Sequence, residues 1–174
     1  RSSGAPGIGA QGPALAGALF VESSGGDLSG ISVSARTSAP GGGGRYGLFY
    51  NSVPNGLAST SSAWIYGLQQ NALNRSNLAL VNTGEVDTSP ISLSVDLFDG
   101  ITAAKVANFT VTLNAREWKQ IGTVLAQYAP DTPQGYARIT RLSGNNPFLG
   151  YAVINDGGQP GERTGDGAFI PAQP

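Results

Sequence analysis

Asp156, Glu162 and Asp166 fall within one polar run, NDGGQPGERTGDG, the densest set of hard oxygen ligands in the chain. Calcium takes about six to eight oxygens, so this run is a candidate metal loop, with Glu85 and Asp87 of GEVDT as a lesser one. Neither run has the fixed ligand spacing of a calcium-binding loop, and solvated turns explain both equally simply. The expectation is no cofactor: solvated loops are the first explanation, and a structural calcium at Asp156, Glu162 and Asp166 is the weaker alternative. Paired carboxylates could also flank a glycosidic bond. Most of the 11 acids lie in turn-like contexts, however, and spacing alone brings no pair together.

Other chemistry is closed off by what is missing. The chain has no His and no Cys, so it lacks both the usual general base and any thiol nucleophile. A Ser–Lys pair is the remaining route to an activated serine, but neither Lys105 nor Lys119 has a Ser three residues before it. The expectation is a protein that is not an enzyme. Trp64 and Tyr66 stand two apart and share one face of a strand, where Tyr46 or Tyr50 could join them. Core packing is the first explanation for such a pair; a sugar-stacking platform is the alternative. Core packing is also the expectation for Trp118, with Ile121 and Leu125 nearby. Asn74-Arg-Ser and Asn108-Phe-Thr match the N-glycosylation pattern, which is frequent by chance in a chain this rich in Ser, Thr and Asn.

The elements that would position these residues are strands. Segments of alternating polarity recur about every ten residues between turn signals, the pattern of an all-β sandwich or barrel. In PISLSVDLF, Ile91, Leu93, Val95 and Leu97 oppose Ser92, Ser94 and Asp96. In KVANFTVTLN, Ala107, Phe109, Val111 and Leu113 oppose Asn108, Thr110, Thr112 and Asn114. NRSNLALVNTG (74–84) is a strand stopped by Asn82-Thr83-Gly84, residues that tolerate positive φ, so this boundary is turn chemistry. REWKQIGTVLAQYA is ambiguous: Trp118–Ile121 as strand, 122–129 as one helical turn. The 26 Gly and 11 Pro make long helices improbable. The fold expected is an antiparallel two-sheet β-sandwich, immunoglobulin-like or jelly-roll-like, of roughly 8–11 strands. Residues 1–13 form a flexible or extended arm and 14–174 a single domain. A faint echo at an offset of 60 residues relates Phe20-Val21 to Leu80-Val81 and Ile31 to Ile91, as if 14–70 and 71–174 were related halves.

From about residue 45 to 172 the order QNALNRSNLALVNTG, DLFDG, TLNAREWKQI, GYARITRLSG, YAVIND and DGAFIPA resembles a module found in the C-terminal regions of large secreted bacterial proteins. The resemblance implies an extracellular β-sandwich accessory module and brings no catalytic or binding residues with it. Composition agrees: 40% of residues are hydrophobic, enough for a core, but only 12% are charged. A net charge of −1 with no basic cluster argues against nucleic acid. No apolar run approaches the roughly 18 residues of a membrane-spanning helix. An arginine at position 1 and the absence of Met suit a piece of a longer chain.

Two functions are expected. The first is a structural or self-association module of the cell surface or matrix, such as a filament subunit, pairing with copies of itself or with neighbouring domains. An extended segment can add to a sheet edge and gain a ladder of main-chain hydrogen bonds. Leu15, Leu19, Phe20 and Val21 of GPALAGALFVES are the side chains such a strand would insert. The alternative is a carbohydrate-binding or adhesive module that holds polysaccharide on Trp64 and Tyr66.

Overall fold

Burial along the longest strands follows their alternation, and that decides which side of each becomes core. A computed structural model describes residues 17–26, 30–37, 39–41, 44–159, 162–164 and 166–174. The main strands are β5 (Ser62–Gln69), β6 (Asn74–Asn82), β7 (Ile91–Asp99), β8 (Lys105–Leu113), β9 (Trp118–Ile121), β10 (Gln134–Ser143), β11 (Phe148–Asp156) and β12 (Gly167–Pro171). They form two antiparallel four-stranded sheets, β5-β10-β7-β8 and β12-β11-β6-β9. The protein is thus an all-β sandwich, as its alternation required. Four short strands, β1 (Ser34–Arg36), β2 (Ala39–Gly41), β3 (Gly44–Tyr46) and β4 (Phe49–Asn51), make two further ribbons, β1-β4 and β2-β3.

Ile91, Leu93, Val95 and Leu97 of β7 are buried against Leu78 and Leu80 of β6, with Ile139 of β10 and Phe148 of β11 in the same core. The sheets approach closely. A Cβ on Gly150 would lie 2.8 Å from the Ile139 Cδ1, so glycine is what lets β11 pass here. The ambiguous segment resolves into β9 followed by α1 (Val124–Tyr128), one short helical turn. It exists because Val124 and Leu125 plug the core, both fully buried.

One expectation fails. Residues 17–23 form no strand, and Leu19 and Val21 are exposed. Phe20 instead lies under the Arg116 guanidinium, 5.3 Å from it, and Glu22 pairs with the same arginine. At the edge of β5, Gln173 exchanges two main-chain hydrogen bonds with Trp64 (2.7 and 2.8 Å). The C-terminus occupies that rung of the ladder. The arm 1–13 and Leu15 lie outside the described residues. Leu80 and Ile91 are buried in strands, whereas Phe20 is in no strand and Ile31 is 61% exposed. Residues 14–70 contribute only β5 to the two main sheets among the described residues.

Candidate binding face

Trp64 and Tyr66 are not core residues. On β5, Ala63 and Ile65 point inward with no exposed surface, so Trp64 and Tyr66 point out. Gly67, at φ +80°, then lets the strand bulge so that Leu68 returns to the core. The neighbouring strand β10 shifts register between Gly135 and Ala137, opposite this bulge. Gly135 is needed there because an added Cβ would sit 2.5 Å from the Phe98 carbonyl oxygen.

Register then carries two rows across the outer face. One runs through Tyr136, Phe98 and Lys105, with Tyr66 placed beside Tyr136 by the bulge; the other runs through Trp64, Arg138, Asp96 and Asn108. The four rings form a continuous cluster. Trp64 and Tyr66 are nearly parallel at 6.1 Å between centroids, Phe98 and Tyr136 nearly parallel at 5.0 Å, and Tyr66 lies 5.8 Å from Tyr136. Tyr66 stays 53% exposed. The Arg138 guanidinium lies over Trp64 at 5.6 Å, a cation–π contact that ties the two rows together.

Asp96 organises the polar half. Its carboxylate accepts from Arg138 Nη2 (3.0 Å), Asn108 Nδ2 (2.8 Å) and Lys105 Nζ (3.4 Å). The Asp96 side chain is only 8% exposed, while Arg138 and Lys105 remain 44% and 55% exposed. Burial pushes the Asp96 carboxyl up, but the hydrogen bonds from Asn108 and Arg138 and the Lys105 charge outweigh it, holding the group below the usual carboxylate range. Asp87, Asp99 and Asp156 are also held low, the first two chiefly by main-chain N–H groups of their own turns and Asp156 by the Thr164 hydroxyl.

A folded pKa below the unfolded one means that the unfolded chain binds more protons. The stabilisation is therefore present above the ordinary carboxyl pKa and is lost as pH falls through it. With no His in the chain, thermal melts should be flat between about pH 5 and 8 and should fall below about pH 4. Asp96→Asn should be less stable at neutral pH and show a shallower acid limb; an unchanged limb would remove Asp96 from this account.

The other acids are held in their own turns. Asp156 pairs with Arg163 Nε (2.7 Å) and accepts from the Thr164 hydroxyl (2.7 Å), while Glu162 accepts from the Gln159 N–H (2.8 Å). Asp166 contributes its main-chain N–H to Thr164 Oγ1 (3.2 Å). Among the described residues no group of three acidic, His or Cys side chains could hold a metal ion, so Asp156, Glu162 and Asp166 do not assemble as a ligand set. Asn108 of the second glycosylation triplet uses its amide on Asp96 and on Ser94 Oγ (2.8 Å).

A second aromatic cluster lies on the outer face of the other sheet. Tyr50 meets Tyr151 and Phe169 edge-on at 6.0 and 5.1 Å, and Tyr151 accepts the Trp118 indole N–H at 3.0 Å. Tyr50 thus joins Trp118 rather than Trp64, and Trp118 packs outside the main core. The side chain of Tyr46 lies outside what is described. The difference between the faces matters: the β1-β4 ribbon, through Tyr50, covers the aromatics of one sheet, while the Trp64 face carries no covering segment among the described residues.

Sequence reasoning missed Phe98, Tyr136, Arg138 and Asp96. A signal was present: in SLSVDLF and GYARIT the outward positions switch from Ser or Thr to an aromatic and a charge. Comparison with protein-family models, with curated proteins and with solved structures returns no match. The class is therefore defined by architecture alone, an antiparallel β-sandwich with aromatic clusters on both outer faces, of which the Trp64 cluster has no covering segment among the described residues.

Proposed function

We propose that this chain is a non-catalytic module that binds polysaccharide across the outer face of the β5-β10-β7-β8 sheet. One observation carries the proposal: four aromatic rings share that face with Asp96, Asn108, Arg138 and Lys105, and no described segment covers them. The C–H face of a pyranose is apolar and lies well against aromatic rings, while its hydroxyls need the donors and acceptors found one row away. The face is a sheet surface rather than a cleft, which suits a long polymer better than a small sugar. The low charge of the chain and the likeness of its motifs to secreted bacterial modules support an extracellular or cell-surface setting.

Affinity electrophoresis through soluble polysaccharides tests this reading. Trp64→Ala and Tyr66→Ala should each weaken retention by about tenfold, as removal of a central aromatic anchor does. Far-UV circular dichroism should be unchanged, because neither side chain is in the core. Equal retention of both variants and the parent would remove the proposal.

Self-association keeps support from one feature. β8 closes its sheet with no strand beyond it among the described residues, and a free edge of nine residues invites strand addition. If the N-terminal arm adds to β8 of a neighbouring copy, deleting residues 1–17 should reduce the particle mass seen by light scattering. An unchanged mass would exclude that arrangement.

A further inference from the structure

The polar half of the aromatic face does not have balanced charge. Asp96 is spent: its buried carboxylate accepts from Arg138, Asn108 and Lys105, leaving little capacity for a ligand hydroxyl. The two cations are not spent. Both side chains are about half exposed, and each has donors that Asp96 does not use. Between the strand ends, the other outward positions of β7, β8 and β10 carry Ser92, Ser94, Thr110, Thr112 and Thr140, all uncharged. The face therefore carries a net charge of +1, while the chain as a whole carries −1. Eight cations and ten acids lie elsewhere, so the positive sign belongs to this face and not to the protein's overall field.

Resting on the polysaccharide reading above, we infer that the ligand is an acidic polysaccharide, a polymer of uronic acid residues. Its carboxylates would be met by Arg138 and Lys105 while its sugar rings lie on Tyr66, Trp64 and Tyr136. The planar guanidinium suits a carboxylate, which it can engage with two parallel N–H groups. Its position over Trp64, 5.6 Å from the ring centroid, sets it beside the aromatic row, so a sugar lying on the rings would bring its carboxylate within reach of the fork. Asp96 acts as a positioning residue, holding both cations at the surface without contacting the ligand. The modest charge excess also separates this ligand from nucleic acid, whose binding requires many phosphate contacts.

The test uses three soluble probes: polygalacturonate, the same polymer fully methyl-esterified, and hydroxyethylcellulose. Polygalacturonate should bind roughly tenfold more tightly than its ester, and raising the salt should erase the difference. Lys105→Gln should weaken polygalacturonate binding about fivefold, since Asp96 keeps Arg138 and Asn108 and the fold survives. Arg36→Gln, the same loss of charge on the β1-β4 ribbon over the opposite sheet, should change nothing. Thr140→Glu, beside Arg138 and exposed to the same ligand, should weaken binding by repulsion without removing any contact. Equal loss from Arg36→Gln and Lys105→Gln would overturn the inference by showing general attraction only. Equal, salt-insensitive binding of the ester or of hydroxyethylcellulose would overturn the acidic ligand and leave the polysaccharide reading standing. Retention of none of the three would overturn both.

Discussion

Phe148→Ala should lower the unfolding free energy by about 4 kcal/mol, the largest effect expected of any single core truncation here. Phe148 is among the largest fully buried side chains. It sits at the start of β11, where both sheets meet. The cost of such a truncation depends on how far the surroundings can collapse into the cavity. At this site the backbone is pinned: Phe148 and Ser59 exchange two main-chain hydrogen bonds, each 2.9 Å, and Thr83 bonds the Pro147 carbonyl through both its N–H (3.1 Å) and its hydroxyl (3.0 Å). Little collapse is available, so the effect should lie toward the upper part of the usual range. In a chain of this size each kcal/mol moves the melting temperature by about 2–4 °C, giving a fall of about 8–16 °C. A loss under about 1 kcal/mol, read by urea titration with an unchanged slope, would show that the end of the sandwich is looser than drawn.

Asn146→Ala should cost about 3 kcal/mol, for a different reason. The Asn146 side chain is completely buried, and its carboxamide joins two loops. Its oxygen accepts from the N–H groups of Val86 (2.8 Å) and Asp87 (3.0 Å). Its nitrogen donates to the carbonyls of Asp87 (2.9 Å) and Ser89 (3.0 Å) and to Asp87 Oδ1 (3.1 Å). Alanine would orphan several main-chain groups at once, and a buried polar group without a partner costs more than the bond itself is worth. Asn146→Asp should be at least as damaging at neutral pH, since it places a second carboxylate against Asp87. Partial recovery on acidification through the carboxyl range would identify that repulsion. Indistinguishable melts for Asn146→Ala and the parent would mean that the loops stay closed without the carboxamide.

These loops also revise the first account of NTG. Gly84 does turn the chain at φ +62°, as expected of a strand-ending glycine. Asn82, however, is wholly buried and serves as more than a turn residue. Its amide nitrogen reaches the carbonyls of Leu113 (3.1 Å) and Ser89 (3.3 Å), and its oxygen takes the Gly84 N–H (3.0 Å). A polar residue at a strand end reads locally as solvated. Its burial depends on loops about 30 and 60 residues downstream, and no local pattern carries that information.

The sequence by itself determined an all-β chain, the places where strands stop and the inward stripe of β7, and it offered a helical turn after Ile121 that the burial of Val124 and Leu125 then decided. Each of these rests on a local cause: period-two polarity, residues that accept positive φ, or a short apolar run that fits no strand. Alternation shows that a strand has two faces but not which one is covered. On β5 the small Ala63 and the aliphatic Ile65 went inward and the two large aromatics outward. Only the tertiary structure could place Phe98, Tyr136 and Arg138 beside Trp64, since they come from β7 and β10, and strand order is a matter of long-range pairing. The same holds for the N-terminal segment, whose apolar residues promised a strand. Phe20 and Glu22 instead meet Arg116, which lies 94 residues beyond Glu22, a contact that no local pattern carries.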